Sequence, residues 1–191
     1  MSKIVIDDNS DNERLRIGRI LNGKREEFAW FVNRYSQQVI DFTSRMMPDA
    51  EDAKEVAQNA FVKAFRSLST FGFQSSFCTW VCRIAYRESL NRLKRQQPHY
   101  VDIDNLPAIE DDEEELSTGR EERIALMEEA IDDLPSDEQL LIHLYYYEDR
   151  PLRDIAYIMD AEPNALATRL HRIRKKLLRM IKQKENEQTD R

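Results

Sequence analysis

The sequence predicts an all-α protein of two small helical domains joined by an acidic linker, the second a helix-turn-helix domain. Apolar residues recur at steps of three and four along most of the chain, the spacing of one buried helical face. The 191 residues include only 4 Gly and 6 Pro, which leaves few turn signals for β-hairpins. Between the two periodic regions lies an acid-rich segment without such a pattern.

The periodicity of the N-terminal region predicts a short amphipathic helical segment that ends at Gly23, followed by three long helices. The first is expected to end at Pro48, and the second to begin at Asp49 or Asp52 as the capping residue. A loop over 71–76 is expected to precede the third helix, which has a basic far end. The predicted buried faces are Phe28, Phe31, Val32, Tyr35, Val39, Phe42 and Met46; Ala53, Val56, Ala57, Ala60, Phe61, Ala64, Phe65 and Leu68; and Phe77, Trp80, Val81, Ile84 and Ala85.

The segment 97–118 is predicted to be a flexible linker. It contains Pro98, Pro107 and a run of acids from Glu110 to Glu115, and it has neither Lys nor Arg. With so little apolar surface, the segment cannot offset the entropy lost on ordering. The chain is therefore expected to divide into a domain at 13–96, a linker at 97–118 and a second domain at 119–183.

Helical periodicity resumes at Ile124, is broken at Pro135 and restarts after Ser136, which is expected to be an N-cap. A short helix is predicted after Pro151, then a turn, then a final helix that opens at Pro163. The predicted buried faces are Ile124, Met127, Ile131 and Leu134; Leu140, Leu141, Leu144 and Tyr145; Leu152, Ile155, Ala156 and Met159; and Leu166, Leu170, Ile173 and Leu177.

Several functional classes lack support in the sequence. No apolar run is long enough to cross a bilayer, so a soluble, cytoplasmic protein is expected. Cys78 and Cys82, four apart on a helix, are expected to be buried reduced thiols, and the histidines are scattered, so neither a metal nor a cofactor is expected. Asp52 and Glu55 are suitably spaced to share a metal, but no second acidic pair accompanies them, and we predict no enzymatic activity.

Charge is separated into blocks along the chain. The net charge of −7 argues against a nucleic-acid partner, yet 163–182 contains seven bases and no acid. A short helix, a turn and a second helix with a basic outer face is the helix-turn-helix arrangement, which favours DNA binding over a merely solvated basic face. Base contacts are predicted near the start of this helix and phosphate contacts further on. The predicted contacts are Asn164, Ala165, Thr168, Arg169, His171 and Arg172, followed by Arg174, Lys175, Lys176 and Arg179.

The N-terminal domain offers two further candidate surfaces. The loop Phe71–Ser76 lies beside a basic helix end, where aromatic and amide groups can hold an unstacked base, although aromatic residues at this spacing are more often core. The polar side of the second long helix is either a partner surface or a solvated face. It carries Asp52, Glu55, Gln58 and Asn59.

Three ordered motifs resemble the extracytoplasmic-function (ECF) sigma factors of bacterial RNA polymerase. The segment 52–65, DAKEVAQNAFVKAF, is similar to the family's D-A-E-D-L-V-Q-E-T-F-L-R-A-W. The segment 76–85, SFCTWVCRIA, is similar to its S-F-x-x-W-L-x-R-I-A. The segments 154–159 and 168–177, DIAYIM and TRLHRIRKKL, resemble E-I-A-E-I-L and S-R-L-H-R-A-R-K-K-L, with Asp160 in place of the usual turn glycine.

This resemblance implies a promoter-recognition subunit that binds the β and β′ subunits of core polymerase and promoter DNA. It implies that Asp52, Glu55, Gln58 and Asn59 face the polymerase clamp helices, that an anti-sigma factor, often membrane-bound, restrains the protein, and that the C-terminal helix reads the minus-thirty-five element. The runner-up is a helix-turn-helix regulator that acts without core. The implied contacts to the minus-ten element are Phe71, Gln74, Ser75, Ser76, Arg87, Asn91, Arg92, Lys94 and Arg95.

Overall fold

The structure is a computed structural model that describes residues 8–96 and 120–189, with side chains described for 12–95 and 124–187. These residues form two compact units, and each is considered by itself. Tyr157–Asp160 is grouped with the N-terminal unit, and the remaining residues from 120 onward form the C-terminal unit. All secondary-structure elements of the described residues are helical, as the sequence predicts, and the predicted linker at 97–118 lies outside the described residues.

Four helices build the N-terminal unit. They are α1 (Asp8–Leu21), α2 (Phe28–Ser44), α3 (Ala50–Arg66) and α4 (Phe77–Gln96), and short 3-10 turns lie at Arg25–Glu27 and Leu68–Thr70. α3 packs against both α2 and α4. The loop between α3 and α4 falls over 71–76, where the sequence places it.

Small and large side chains alternate in the core of this unit. Phe31, Phe42 and Phe77 are fully or almost fully buried, while α3 contributes the alanines Ala53 and Ala60 to the same interior. Alanine lets helix backbones approach closely, and the aromatic rings fill the remaining volume. Cys78 and Cys82 are buried thiols on α4, as expected, and the Cys78 thiol donates to Gln38 Oε1 at 3.3 Å.

Asp49 is the residue that caps α3. Its carboxylate accepts hydrogen bonds from the backbone N–H groups of Glu51 at 2.8 Å and Asp52 at 3.0 Å. Of the two candidates in the sequence, Asp49 therefore takes the structural role. The side chain of Asp52 is left on the outer side of the helix.

Four α-helices and a π-helical turn at His143–Tyr147 build the rest of the described chain. They are α5 (Arg120–Asp132), α6 (Ser136–Ile142), α7 (Leu152–Met159) and α8 (Pro163–Thr189). The predicted inward face of α8 is correct, since Leu166, Leu170, Ile173 and Leu177 are all buried. Tyr145, which the sequence placed inward, is 38% exposed at the π-helical turn.

The sequence predicted the buried face at α5 only in part, because Leu134 is buried as expected and Ile131 is half-buried, but the first half of the helix turns another side inward. Leu126 and Ala130 are buried with Leu134, whereas Ile124 and Met127 are 52% and 39% exposed. This helix has apolar residues on two sides, so its periodicity fits two different buried faces. The prediction placed the larger side chains, Ile124 and Met127, inward, and that choice was incorrect. Two ion pairs from Lys184 on α8, to Glu129 at 3.3 Å and to Asp133 at 3.0 Å, accompany the observed face.

In the region from α5 to α8, one helix end and two turn residues depart from the expected turn chemistry. Ser136 is the first residue of α6, the capping position is held by Pro135, and no side chain caps this end. Asp149 has a φ of +49° and Asp160 a φ of +57°. Left-handed backbone favours glycine, and aspartate tolerates it better than most residues, which explains how Asp160 replaces the family's turn glycine.

Candidate polymerase and nucleic-acid interfaces

The polar face of α3 is the first candidate surface. Because Ala53, Val56, Ala57 and Ala60 are buried, the other side of the helix points outward. Two carboxylates and two amides lie on this side at neighbouring helical positions, and each except the half-buried Asp52 is exposed. They are Asp52, Glu55, Gln58 and Asn59.

Arg92 on α4 bridges the two carboxylates of this face. Its Nη2 donates to Asp52 Oδ1 and, at 3.1 Å, to Glu55 Oε2. The hydrogen bond to Asp52 is the main cause that raises the pKa of the Arg92 guanidinium above its ordinary value. The sequence placed Arg92 on the predicted DNA surface and Asp52 and Glu55 on the predicted polymerase surface. In the structure, Arg92 contacts both carboxylates, so the two surfaces meet here.

An apolar groove lies beside the polar face, between α2 and α3. It has a volume of about 590 Å³, and its lining is apolar except for Ser36 and Gln58. The sequence placed Val32 and Phe65 in the core, but both are half-buried and line this groove, and Val62 beside them is 46% exposed. Periodicity did not reveal the groove, because residues at the edge of an apolar stripe have the same spacing as those at its centre.

The loop between α3 and α4 divides into a buried half and an exposed half. Phe71 is buried, with its ring centroid 5.0 Å from that of Trp80 and 5.9 Å from that of Phe77, so it is a core residue in this structure. Phe73 and Gln74 are exposed, and Phe73 has a φ of +55°. Phe73, which the predicted contact set omitted, is therefore the exposed aromatic residue of the loop, although its ring centroid lies 4.7 Å from that of Phe71 and 4.8 Å from the guanidinium carbon of Arg14.

The end of the loop starts α4. Ser76 Oγ accepts from the backbone N–H of Thr79 at 3.1 Å and lies 2.8 Å from Thr79 Oγ1. Ser75 is half-buried, and its hydroxyl donates to the carbonyl of Ser76 at 3.2 Å. At the other end of α4, the predicted minus-ten contacts are exposed except for the half-buried Arg92. These exposed residues are Arg87, Asn91, Lys94 and Arg95.

The helix-turn-helix arrangement expected near the C-terminus is present as α7, a turn and α8. The backbone N–H of Ala161 donates to the carbonyl of Ala156 at 3.0 Å, which closes the end of α7. Pro163 is the first residue of α8, where its lack of an N–H carries no cost. Of the predicted DNA contacts on α8, Asn164, Ala165, Thr168 and His171 are exposed, while Arg172 and Lys175 are half-buried.

Two bases of α8 that the sequence predicted to contact DNA are engaged within the unit. Arg169 donates to the carboxylate of Asp137 on α6, and its side chain is only 16% exposed. Lys176 Nζ lies 2.9 Å from Glu138 Oε2. The outer face of α8 therefore carries fewer available bases near its start than the sequence suggests.

Comparison with known proteins assigns the family. Residues 31–99 match the family model Sigma-70 region 2, and residues 124–177 match Sigma-70, region 4. The chain is 31% identical to the ECF RNA polymerase sigma-E factor of Escherichia coli strain K12 over 173 residues, which cover 85% of this chain and 90% of that protein. The chain belongs to the ECF sigma factors of the sigma-70 family.

Further similarities agree with this assignment. This sigma factor is 29% identical to the RNA polymerase sigma-H factor of Pseudomonas aeruginosa over 175 residues, 86% of this chain and 91% of that protein. Its fold is similar to that of the sigma factor RpoE from Bartonella quintana, solved in complex with the anti-sigma factor NepR. The TM-score is 0.58 at 16% identity, over 82% of this chain and 98% of that chain.

The family assignment decides between the alternatives left open by the sequence. A sigma factor directs RNA polymerase to promoters and acts by binding, so the chain is not an enzyme, and a regulator that works without core is not supported. In the sigma factor, the region 2 match covers most of α2 together with α3 and α4, and the region 4 match runs from residue 124, one turn into α5, to the middle of α8. None of its described helices is long and apolar enough to span a membrane.

Proposed function

We propose that this sigma factor binds core polymerase through α3, the minus-ten element through the 71–76 loop and the end of α4, and the minus-thirty-five element through α8. The observation that carries the proposal is the exposed start of α8, where the polar residues Asn164 and Thr168 come directly after a helix-turn-helix turn and Arg172 follows one turn later. Such a helix fits the major groove, where its first turns reach base edges.

The proposed polymerase surface is the polar face of α3 defined by Asp52, Glu55, Gln58 and Asn59. Its carboxylates fit a basic partner surface, and its amides can donate and accept hydrogen bonds at the same interface. The neighbouring apolar groove adds area that a partner helix can bury. In the absence of a partner, Arg92 neutralises part of the acidic charge.

The proposed minus-ten surface combines the exposed half of the loop with the bases of α4. Opening DNA requires a pocket that compensates lost stacking, on the order of a few kcal/mol. Gln74 and Ser75 can supply hydrogen bonds to an unstacked base, and Lys94 and Arg95 can contact the strand's phosphates. Phe71 contributes indirectly here, because its ring packs beneath the loop against Trp80.

The proposed minus-thirty-five surface begins at Pro163. Asn164, Thr168 and Arg172 occupy one side of the first turns, the positions from which a recognition helix reads bases. The Thr168 hydroxyl donates to the carbonyl of Asn164 at 3.0 Å, which leaves its methyl group and oxygen lone pair for contacts to DNA. Lys175, together with His171, faces the same side further along and suits phosphate contacts.

The remaining parts of the proposal concern organisation and control. We assign the core-binding domain to 13–96, the linker to 97–118 and the DNA-reading domain to 119–183. The solved relative RpoE is bound to the anti-sigma factor NepR, and we propose that an anti-sigma factor, which in this family is often membrane-bound, likewise restrains this chain in the cytoplasm.

A two-stage experiment tests the proposal. The full chain is first used to capture purified bacterial core polymerase, and the reconstituted complex is then assayed for transcription from genomic promoter fragments. Capture followed by initiation at a defined set of promoters is expected. A chain that fails to capture core but binds DNA would instead be a helix-turn-helix regulator, and the assignment of the α3 face would be wrong.

A further inference from the structure

Asp137 is a buried carboxylate in a unit proposed to bind DNA. It is the second residue of α6, and its side chain is 5% exposed. Its Oδ2 accepts a hydrogen bond from Nη2 of Arg169 on α8, and its Oδ1 accepts from the backbone N–H of Glu138 at 3.1 Å. Both oxygens have partners inside the unit, so this charge is held in place by its surroundings.

The position of Arg169 on α8 explains why it points toward α6. It follows Leu166 by three residues and precedes Ile173 by four, and both of these residues are buried. Neighbours at these spacings share a helix face, so Arg169 lies at the edge of the buried stripe. Thr168, one position earlier, is exposed on the side proposed to face DNA.

A second ion pair joins the same two helices further along. Lys176 is seven residues after Arg169, two helical turns away on the same side of α8, and its Nζ lies 2.9 Å from Glu138 Oε2. Leu140 and Leu141 of α6 are fully buried, which anchors the acidic end of α6 in the core. Two ion pairs along the same side of α8 restrict rotation of the helix about its own axis. A single ion pair would still allow α8 to turn around that contact.

By charge alone, a carboxylate in this unit opposes DNA binding, because it repels phosphates. We infer that Asp137 is a positioning residue for promoter binding. It holds Arg169 and so fixes the rotation of α8 that presents Asn164, Thr168 and Arg172 to the major groove. Arg169 itself contacts no base. The inference rests on the proposed DNA-binding role of α8 and replaces the direct role that the sequence predicted for Arg169.

The test uses the full-length chain. Short duplexes of random sequence are selected on the wild-type protein, and an enriched duplex then serves as the probe for dissociation constants. The variants are Asp137→Leu, Arg169→Met and the two together, since a buried ion pair is often replaceable by packed apolar residues without loss of stability. Glu128→Gln, which removes an exposed acid of α5 in the same unit, is the matched control.

Each single variant is expected to bind the probe about tenfold more weakly, the loss that one well-placed base contact carries. The double variant is expected to recover to within about threefold of the wild type, because the two positions act as one unit. Glu128→Gln is expected not to weaken binding. If charge alone mattered, removal of the negative charge of Asp137 would strengthen DNA binding, because it reduces the repulsion of phosphates. The inference predicts the opposite, weaker binding.

Circular dichroism on every variant separates misfolding from lost binding. The reversed pair, Asp137→Arg with Arg169→Asp, gives a second test, and recovery of binding in it supports the inference. A folded double variant that binds as weakly as Arg169→Met would overturn the inference, because Arg169 would then contact DNA directly. If the wild-type chain enriches no sequence at all, the proposed DNA binding fails first and the inference falls with it.

Discussion

Arg92 on α4 donates from a single nitrogen, Nη2, to the carboxylates of both Asp52 and Glu55 on α3. Its Nε is buried and has no hydrogen-bond partner, so the guanidinium is only partly satisfied in this position. The free chain thus covers part of its own acidic surface with one of its bases. Any basic partner of α3 must compete with Arg92 for the two carboxylates.

Neutralising the two carboxylates is expected to weaken core binding. The double variant Asp52→Asn/Glu55→Gln removes both charges while it keeps the shape of each side chain, and a loss of about tenfold or more in affinity is expected. Titration of core polymerase with labelled protein measures it. Glu51→Gln is the matched control, since Glu51 lies on the same helix, is mostly exposed and pairs with Lys54 at 2.7 Å. Unchanged affinity in a helical double variant would remove α3 from the interface.

Removing Arg92 is expected to have the opposite effect. Arg92→Gln removes the guanidinium that bridges Asp52 and Glu55, so core affinity should rise, by up to about fivefold. Lys63→Gln is the control, because Lys63 also joins α3 to α4, through Glu88 at 2.5 Å, without touching Asp52 or Glu55. A fall in core affinity for Arg92→Gln alone would mean that Arg92 organises the surface instead of masking it.

Exchange of the loop residues is expected to change promoter preference without changing core binding. Gln74→Ala and Ser75→Ala alter exposed or half-exposed side chains, so open-complex formation and minus-ten preference should shift. Ser76→Ala is a poorer probe, because loss of its capping bond is expected to cost about 1 kcal/mol of stability. Permanganate footprinting on promoter variants measures the first effect. An unchanged promoter profile for Gln74→Ala/Ser75→Ala would contradict the assignment of the loop.

Base readout and phosphate contact should separate by position along α8. Arg172→Ala is expected to relax preference at one or two base pairs, with roughly 1–3 kcal/mol of discrimination lost. Arg179→Ala lies two turns further and should weaken all sequences alike, with the salt slope reduced by about 0.9. Binding to a promoter library at two salt concentrations distinguishes the two patterns. A uniform loss for Arg172→Ala would make it a phosphate contact.

The left-handed residue at the end of the π-helical turn offers a stability test. Asp149 has a φ of +49°, so Asp149→Gly is expected to raise the free energy of unfolding of the C-terminal unit by about 0.5–1 kcal/mol. Asp149→Ala at the same position keeps the unfavourable backbone and should lower the stability. Urea denaturation followed by circular dichroism measures both. The reverse order of the two variants would show that the aspartate side chain matters more than the backbone.

The sequence predicted some helices more completely than others for a physical reason. α3 has one apolar stripe whose centre at Ala53, Val56, Ala57 and Ala60 is buried as predicted, and only its edge at Phe65 differs from the prediction. α5 has Ile124 and Met127 on one side and Leu126 and Ala130 on the other, and only tertiary packing decides between them. The turn residue Asp160 was recognised as unusual, but its left-handed backbone became visible only in the structure.

The candidate surfaces show a similar limit. Exposed positions on the first turns of α8 follow from periodicity, and Asn164 and Thr168 are where the sequence placed them. Ion pairs between distant segments do not follow from periodicity, because Asp137 and Arg169 are 32 positions apart and their pairing depends on how α6 meets α8. In the N-terminal unit, the ion pairs of Arg92 with Asp52 and Glu55 likewise join distant segments and do not follow from periodicity. Charge patterns in the sequence therefore locate candidate surfaces. Which of these charges remain available to a binding partner depends on the ion pairs that form within the folded chain.

The two buried thiols of α4 allow local unfolding of the N-terminal unit to be measured by thiol labelling. Cys78 and Cys82 are the only two cysteines of the chain, and both are buried. A thiol reagent can reach them only when α4 separates from its neighbours, so the labelling rate of the unmodified protein follows local opening. Because no other cysteine exists, the signal comes from the N-terminal unit alone. Comparison with the helical signal of the whole chain then separates the stability of one unit from that of the other.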